Sequence, residues 1–229
     1  MLIKGFQKLT LLDFPGRTAC TVFTGGCNYR CPFCHNAVLV TGNEGEYYTE
    51  QEIFGHLEKR RGIIDGVAVT GGEPLLQKDI ESFLYEIKDR GFAVKLDTNG
   101  SFPEKLEGIL QLGLADYVAM DIKNRPEKYA ETVGLEKFDI APVRRSIDLL
   151  MNSGVEYEFR TTVVSDFHTV GDIEALAEWI KGAKRYFLQN FVDSGNLIDG
   201  SCTGVSPSTM REMLDRAKKY IPDAQLRGL

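Results

Sequence analysis

The chain has 229 residues, 43% of them hydrophobic and 26% charged, with a formal net charge of −6 and no basic run. That length holds one sizeable core but hardly two, and the acidic balance argues against nucleic acid as a main partner. No apolar stretch approaches the roughly 18 residues of a membrane helix, and the opening MLIKGFQKLT lacks the apolar run of a secretory signal. The expectation is one domain over residues 1–229, cytoplasmic and without a membrane partner.

Along the chain, apolar β-branched runs at 18–24, 63–70, 92–97, 116–121, 156–164 and 185–190 read as strands, with helical patterns between the later ones. Thr49 and Glu52 form a capping box ahead of Ile53 and Leu57. Ile80, Phe83, Leu84 and Ile87 share one helix face, and Gly91 stops that helix. Pro103 and Pro142 suit the first turns of helices over 104–112 and 143–153. Asp172 reads as the cap of 173–181, and Ser206-Pro207 opens a last helix that Pro222 ends. Strands alternating with helices imply right-handed βαβ units and a parallel sheet. Six strands fall short of the eight that close a TIM barrel, so the fold expected is α/β, a partial (β/α)6 TIM-like open barrel. Function then belongs at the C-terminal strand ends.

Those ends carry Gly25-Gly26-Cys27, Thr70-Gly71-Gly72-Glu73-Pro74, Asp97-Thr98-Asn99-Gly100, Asp121-Ile122-Lys123 and Gln189-Asn190, with Arg160 on the fifth strand. Turn residues and charged groups thus meet on one rim, as a pocket for a zwitterionic ligand requires. Three of the five cysteines, Cys27, Cys31 and Cys34, lie within eight positions, a crowding that suits a metal site better than a disulfide framework. Three thiolates on one short loop can hold three irons of a cubane and leave the fourth iron open to a ligand. The competing reading is zinc, with His35 as fourth ligand, although adjacent Cys34 and His35 would need an awkward loop to face one ion. Gly71 and Gly72 allow a tight turn and close backbone approach, and Glu73 offers a carboxylate to an ammonium group; an ordinary βα turn is the alternative.

Asp97 and Asp121 read as ligands of ribose hydroxyls or a small cation, or else as turn caps. Arg160, between Phe159 and Thr161, would be a costly idle charge if buried and reads as the partner of a carboxylate, with Lys123 beside it; both could instead be surface charges. Cys20 alternates with Thr18 and Val22 as a core residue, Cys202 has no assignable role, His56 sits on a solvated helix face, and His168 near the rim is a weak active-site candidate.

The three-cysteine spacing, with Phe33 before the third cysteine and Gly-Gly-Glu-Pro one βα unit later, resembles the radical S-adenosylmethionine (SAM) superfamily. The resemblance implies a [4Fe–4S] cluster on Cys27, Cys31 and Cys34 whose open iron chelates the amino and carboxylate groups of SAM, Phe33 near the adenine, and Gly71, Gly72 and Glu73 at the SAM amino group. It implies reductive cleavage of SAM to methionine and a 5′-deoxyadenosyl radical. Cys34-His35-Asn36, Asp97-Thr98-Asn99-Gly100, Met120-Asp121-Ile122-Lys123 and the opening Leu12-Asp13-Phe14-Pro15-Gly16 look like the activating enzymes of glycyl radical enzymes, the branch acting on anaerobic ribonucleoside-triphosphate reductase in particular. The implied partners are a glycyl radical enzyme as protein substrate and reduced flavodoxin or ferredoxin as electron donor. Two departures stand out. Where some activases carry a histidine after the sixth strand, this chain reads Leu188-Gln189-Asn190, so Gln189 is the candidate for that contact; and the cysteine-bearing ferredoxin-like insert of some relatives is absent. A radical SAM enzyme acting on a small molecule, such as a deazaguanine precursor, is the rival expectation; a zinc or electron-transfer module without SAM chemistry is a more distant one.

Overall fold

A computed structural model describes residues 1–42, 47–193, 195 and 197–228. Its framework is one eight-stranded sheet in simple sequence order: β1 Ile3–Thr10, β2 Ala19–Thr24, β3 Gly66–Gly71, β4 Ala93–Thr98, β5 Tyr117–Asp121, β6 Glu156–Val163, β7 Tyr186–Asn190 and β8 Ala224–Arg227. β1 pairs antiparallel with β2, and every later neighbour pair is parallel. β1 and β8 are the two ends of the strand order, so the barrel is open. The six expected strands are β2 to β7; β1 and β8 are additions at the two edges.

Helices α1 Ala37–Thr41, α2 Glu50–Lys59, α3 Ile80–Asp89, α4 Pro103–Gln111, α5 Tyr129–Thr132, α6 Ala141–Asn152, α7 Val170–Trp179 and α8 Pro207–Ala217 connect the strands. The amphipathic pattern of α3 buries Ile80, Phe83, Leu84 and Ile87, and the Thr49–Glu52 capping box closes in both directions. At α7 the expected cap shifts. Thr169 is the N-cap and Asp172 sits three residues in, where its carboxylate accepts from the Thr169 backbone and hydroxyl and also pairs with Arg125 and Lys128, both at 2.7 Å.

Period-2 alternation sorts side chains between two faces. Val94, Leu96, Tyr157 and Phe159 join the helix-covered core, whereas their neighbours Lys95, Asp97, Glu158 and Arg160 line a recess inside the barrel together with Arg227. The Leu12–Gly16 segment closes the barrel's base: Phe14 packs with Ala19, Ala93, Tyr117 and Ala119 in a small second cluster. Gly66 is bare for that reason, since a Cβ there would meet the Phe14 ring at 2.9 Å and the Ala93 carbonyl at 2.7 Å.

Candidate active site

At the C-terminal rim a cavity of about 280 Å³ is lined by the thiols of Cys27, Cys31 and Cys34 together with Phe33, His35, Gly71, Gly72, Asp97, Thr98, Asp121, Lys123, Arg160 and Gln189. Every expected site residue therefore faces it except Glu73. Asn36, Thr70, Asn99 and Tyr29 also line it. Asn36 and Asn99 stood inside the quoted motifs, but nothing in an amide's identity marked them as wall residues.

Backbone contact builds the wall. β3 ends by turning against the cysteine loop: Gly72 N–H donates to Thr24 O at 2.9 Å and Glu73 N–H to Gly26 O at 2.9 Å. A Cβ on Gly72 would lie 1.9 Å from Gly26 O, and Gly71 has φ +111°, so both positions demand glycine. Asn36 Nδ2 donates to Gly71 O at 2.8 Å, tying the segment after the third cysteine to the same turn.

Glu73 is buried behind that turn. Its carboxylate accepts from Thr98 Oγ1 (2.8 Å), Leu75 N (3.0 Å) and Asn99 N (2.7 Å). Burial outweighs these three donors and pushes its pKa up to about 7. The surface it leaves to the cavity is the backbone of Gly71 and Gly72.

The charged groups on the opposite wall pair with one another. Lys95 holds Asp97; Arg160 reaches Asp97 at 3.2 Å and, through Nε, Asp121 at 3.0 Å; Lys123 Nζ holds Asp121 at 2.9 Å. Burial alone would raise both aspartates, but Arg160 and Lys95 hold Asp97 below its usual range, and Lys123 and Arg160 do the same to Asp121. Lys95 lies in the deeper recess, so at the rim cavity two cations, Arg160 and Lys123, stand among two anions, Asp97 and Asp121, and supply the donors a carboxylate would meet. Cys31 lies against this wall. Burial pushes its thiol up to about 12, with Lys123 working in the opposite direction, so iron binding there must displace a proton.

Aromatic contacts frame the mouth. Phe33 lies 5.7 Å from Phe167, and His35 stacks on Phe191 at 5.1 Å and 24°. Asp199 N–H donates to Pro32 O at 2.9 Å, which brings the segment after β7 over the cysteine loop. Cys20 is fully buried in the core, as expected. His168 is a strut rather than an active-site group, bridging Lys123 O at 2.8 Å and Val164 N at 3.1 Å. His56 is not simply solvated, since its ring meets Phe6 edge-on and its Nε2 lies 3.0 Å from Lys8 O.

The donor set fits a cubane better than a single ion. A zinc site would gather its thiolates and imidazole around one point. Among the described residues no three His, Cys, Asp or Glu side chains do so. A cubane instead takes one thiolate per iron, and three cysteines line this cavity.

Residues 21–180 match the Radical SAM superfamily model. The chain belongs to that superfamily, and its cofactors are accordingly a [4Fe–4S] cluster and SAM. It is similar, at 35% identity over all of this chain and 96% of the relative, to a Methanocaldococcus jannaschii protein named "Putative glycyl-radical enzyme activating enzyme". A pyruvate formate-lyase-activating enzyme of Listeria monocytogenes is 32% identical over 56% of this chain and 55% of its own length. A 7-carboxy-7-deazaguanine synthase of Methanothermobacter thermautotrophicus is 31% identical over 71% of this chain and 68% of its own. The fold is shared with Streptococcus suis SuiB bound to its precursor peptide SuiA, at a TM-score of 0.72 and 13% identity over 91% of this chain and 48% of that one. Within the superfamily the chain is an enzyme of the activating-enzyme kind.

Proposed function

We propose that residues 1–229 act as one unit that installs a glycyl radical in a partner enzyme, anaerobic ribonucleoside-triphosphate reductase being the partner in view. The observation that carries this reading is the rim cavity, where three cysteines, a glycine turn and the Arg160–Lys123 pair of cations surround one space, in a chain similar along its whole length to an activating enzyme. When bound, the cluster and SAM would supply the one-electron chemistry by which hydrogen is taken from a glycine. Cys27, Cys31 and Cys34 would hold the cluster. The Gly71–Gly72 backbone, backed by the Glu73 carboxylate, would receive the SAM ammonium, and Arg160 and Lys123 would receive its carboxylate. Asp97 and Asp121 fix those cations, Thr98 holds the Glu73 carboxylate, and all three would border the ribose. Phe33 and His35 flank the adenine, and Gln189 closes the side toward β8. Phe167 and Phe191 exclude water from the mouth. Reduced flavodoxin or ferredoxin is the expected electron donor, in the cytoplasm; among the described residues no helix is long and apolar enough to cross a membrane.

The test mixes the reduced, SAM-loaded protein with a glycyl radical enzyme encoded beside it and records the electron paramagnetic resonance spectrum. A doublet that loses its main splitting when the glycine α-carbon is deuterated is the expected result. Tightly coupled SAM consumption on a purine-like small molecule, with no radical on any protein partner, would install the second reading, which the deazaguanine synthase likeness supports.

A further inference from the structure

The three cysteines are not equivalently surrounded. Cys27 Sγ has two N–H groups aimed at it, Tyr29 N at 3.4 Å and Asn99 Nδ2 at 3.8 Å. Asn99 is 6% exposed and cannot swing, because both polar atoms of its side chain are engaged. Its Nδ2 also donates to Asn28 Oδ1 at 3.0 Å, its Oδ1 accepts from Ser101 Oγ at 2.5 Å and Ser101 N at 3.0 Å, and its backbone N–H is held by Glu73. Asn28 Nδ2 returns to Ser101 Oγ at 2.9 Å and closes the ring. The clamp joins the cysteine loop, the end of β4 and the carboxylate behind the glycine turn. So complete a locking of one amide exceeds what a turn needs, and its unshared direction is toward a ligand sulfur.

We propose that Asn99 is a positioning residue that sets the reduction potential of the cluster, by holding its side-chain N–H on the Cys27 thiolate within the Asn28–Asn99–Ser101 clamp. The proposal rests on the three cysteines carrying the cluster. Each one-electron reduction adds negative charge to the cluster and its sulfurs. An N–H donor stabilises the more negative form and raises the potential, and hydrogen bonds to sulfur are an established control of cluster potential. A bond to a charged acceptor is stronger than a neutral one, so losing it should shift the reduction equilibrium roughly three- to tenfold, up to 59 mV for one electron.

The experiment is an anaerobic redox titration of the reconstituted protein without SAM, followed by the electron paramagnetic resonance signal of the reduced cluster, with iron counted in each sample. Asn99→Ala should keep about four irons and move the midpoint to lower potential. Ser101→Ala, which leaves Cys27's donors in place but unlocks the amide, should move it the same way by less. A midpoint unchanged in both variants at full iron content overturns the proposal. If Asn99→Ala does not assemble the cluster, Ser101→Ala decides alone, an unshifted midpoint again counting against it. A wild-type protein without four irons would instead overturn the assignment of the cluster to these cysteines.

Discussion

Cys31 is the most enclosed of the three cavity cysteines, 7% exposed against the Lys123 wall. Cys31→Ala should abolish the cluster's charge-transfer absorption and SAM cleavage, whereas Cys20→Ala and Cys202→Ala should retain both; full iron in Cys31→Ala would remove the site. Glu73 gives a second test at this scale. Glu73→Gln keeps the volume but removes the charge behind the Gly71–Gly72 turn and turns an amide donor on one of three donors already there. A lost charge-assisted interaction of about 1.5–3 kcal/mol should weaken SAM binding roughly ten- to hundredfold by anaerobic calorimetry. The same residue leaves a pH signature in the SAM-free protein. Its folded pKa of about 7 lies above the ordinary 4.5, so the folded state holds the proton more tightly. Its contribution to stability is therefore full below about 4.5 and lost as pH rises through about 7. Thermal melts between those limits should show that slope in the wild type and not in Glu73→Gln. The sequence disclosed which residue types meet at the rim, because strand ends and motifs coincide there. It could not disclose that Glu73 points away from the cavity or that Asp97, Asp121, Lys123 and Arg160 pair with one another, since both depend on rotamers and cross-strand register.

The parallel strands were readable because a buried strand is a short apolar run between turn signals. β1 was not, since IKGFQKLT carries two lysines and a glutamine and is partly exposed, and β8 has only four residues, AQLR. Charged residues alternating with apolar ones in β4 and β6 face the barrel interior, in the pairs Lys95/Asp97 and Glu158/Arg160, an alternation the strand runs alone did not reveal. At the other end of a βα unit, the α7 capping box makes a quantitative test. Asp172→Asn removes the charge that Arg125 and Lys128 face and weakens the cap, which should destabilise by about 1–2 kcal/mol in urea at neutral pH. Burial alone would raise this carboxyl, but Lys128, Thr169 and Arg125 together hold it below its ordinary range. Its contribution is thus present above the ordinary carboxyl pKa of 3.8 and lost as pH falls through the lower folded value. The gap between wild type and variant should narrow as the medium is acidified below that point; a gap that widens would contradict the assignment.

At the scale of the whole molecule, the strand order leaves the barrel open between β1 and β8. The recess of about 190 Å³ inside the barrel is bounded by Leu12, Asp13 and Pro15 from the β1–β2 connection on one side and by Gln189 and Arg227 from β7 and β8 on the other. It shares Asp97, Arg160 and Gln189 with the rim cavity, so these three side chains border both spaces. Leu11 and Leu12 are exposed at the base, away from the rim, whereas Val192, 64% exposed just beyond β7, offers an apolar edge at the rim that a loop drawn from a large partner would cross. Arg227 keeps the β8 edge fixed by its paired bonds to Glu158 at 2.7 and 2.8 Å and its seat 3.5 Å over the Phe187 ring. Val192→Asp should therefore lower glycyl radical yield in the partner by roughly tenfold, the scale of one apolar contact residue at an interface. SAM cleavage driven by a chemical reductant in the partner's absence should stay within about twofold, because Val192 does not line the rim cavity. Measuring both rates on one preparation separates docking from chemistry. Equal radical yield in wild type and Val192→Asp would mean that the partner's loop does not pass this edge, and a parallel fall in uncoupled cleavage would mean that the substitution had disturbed the barrel itself.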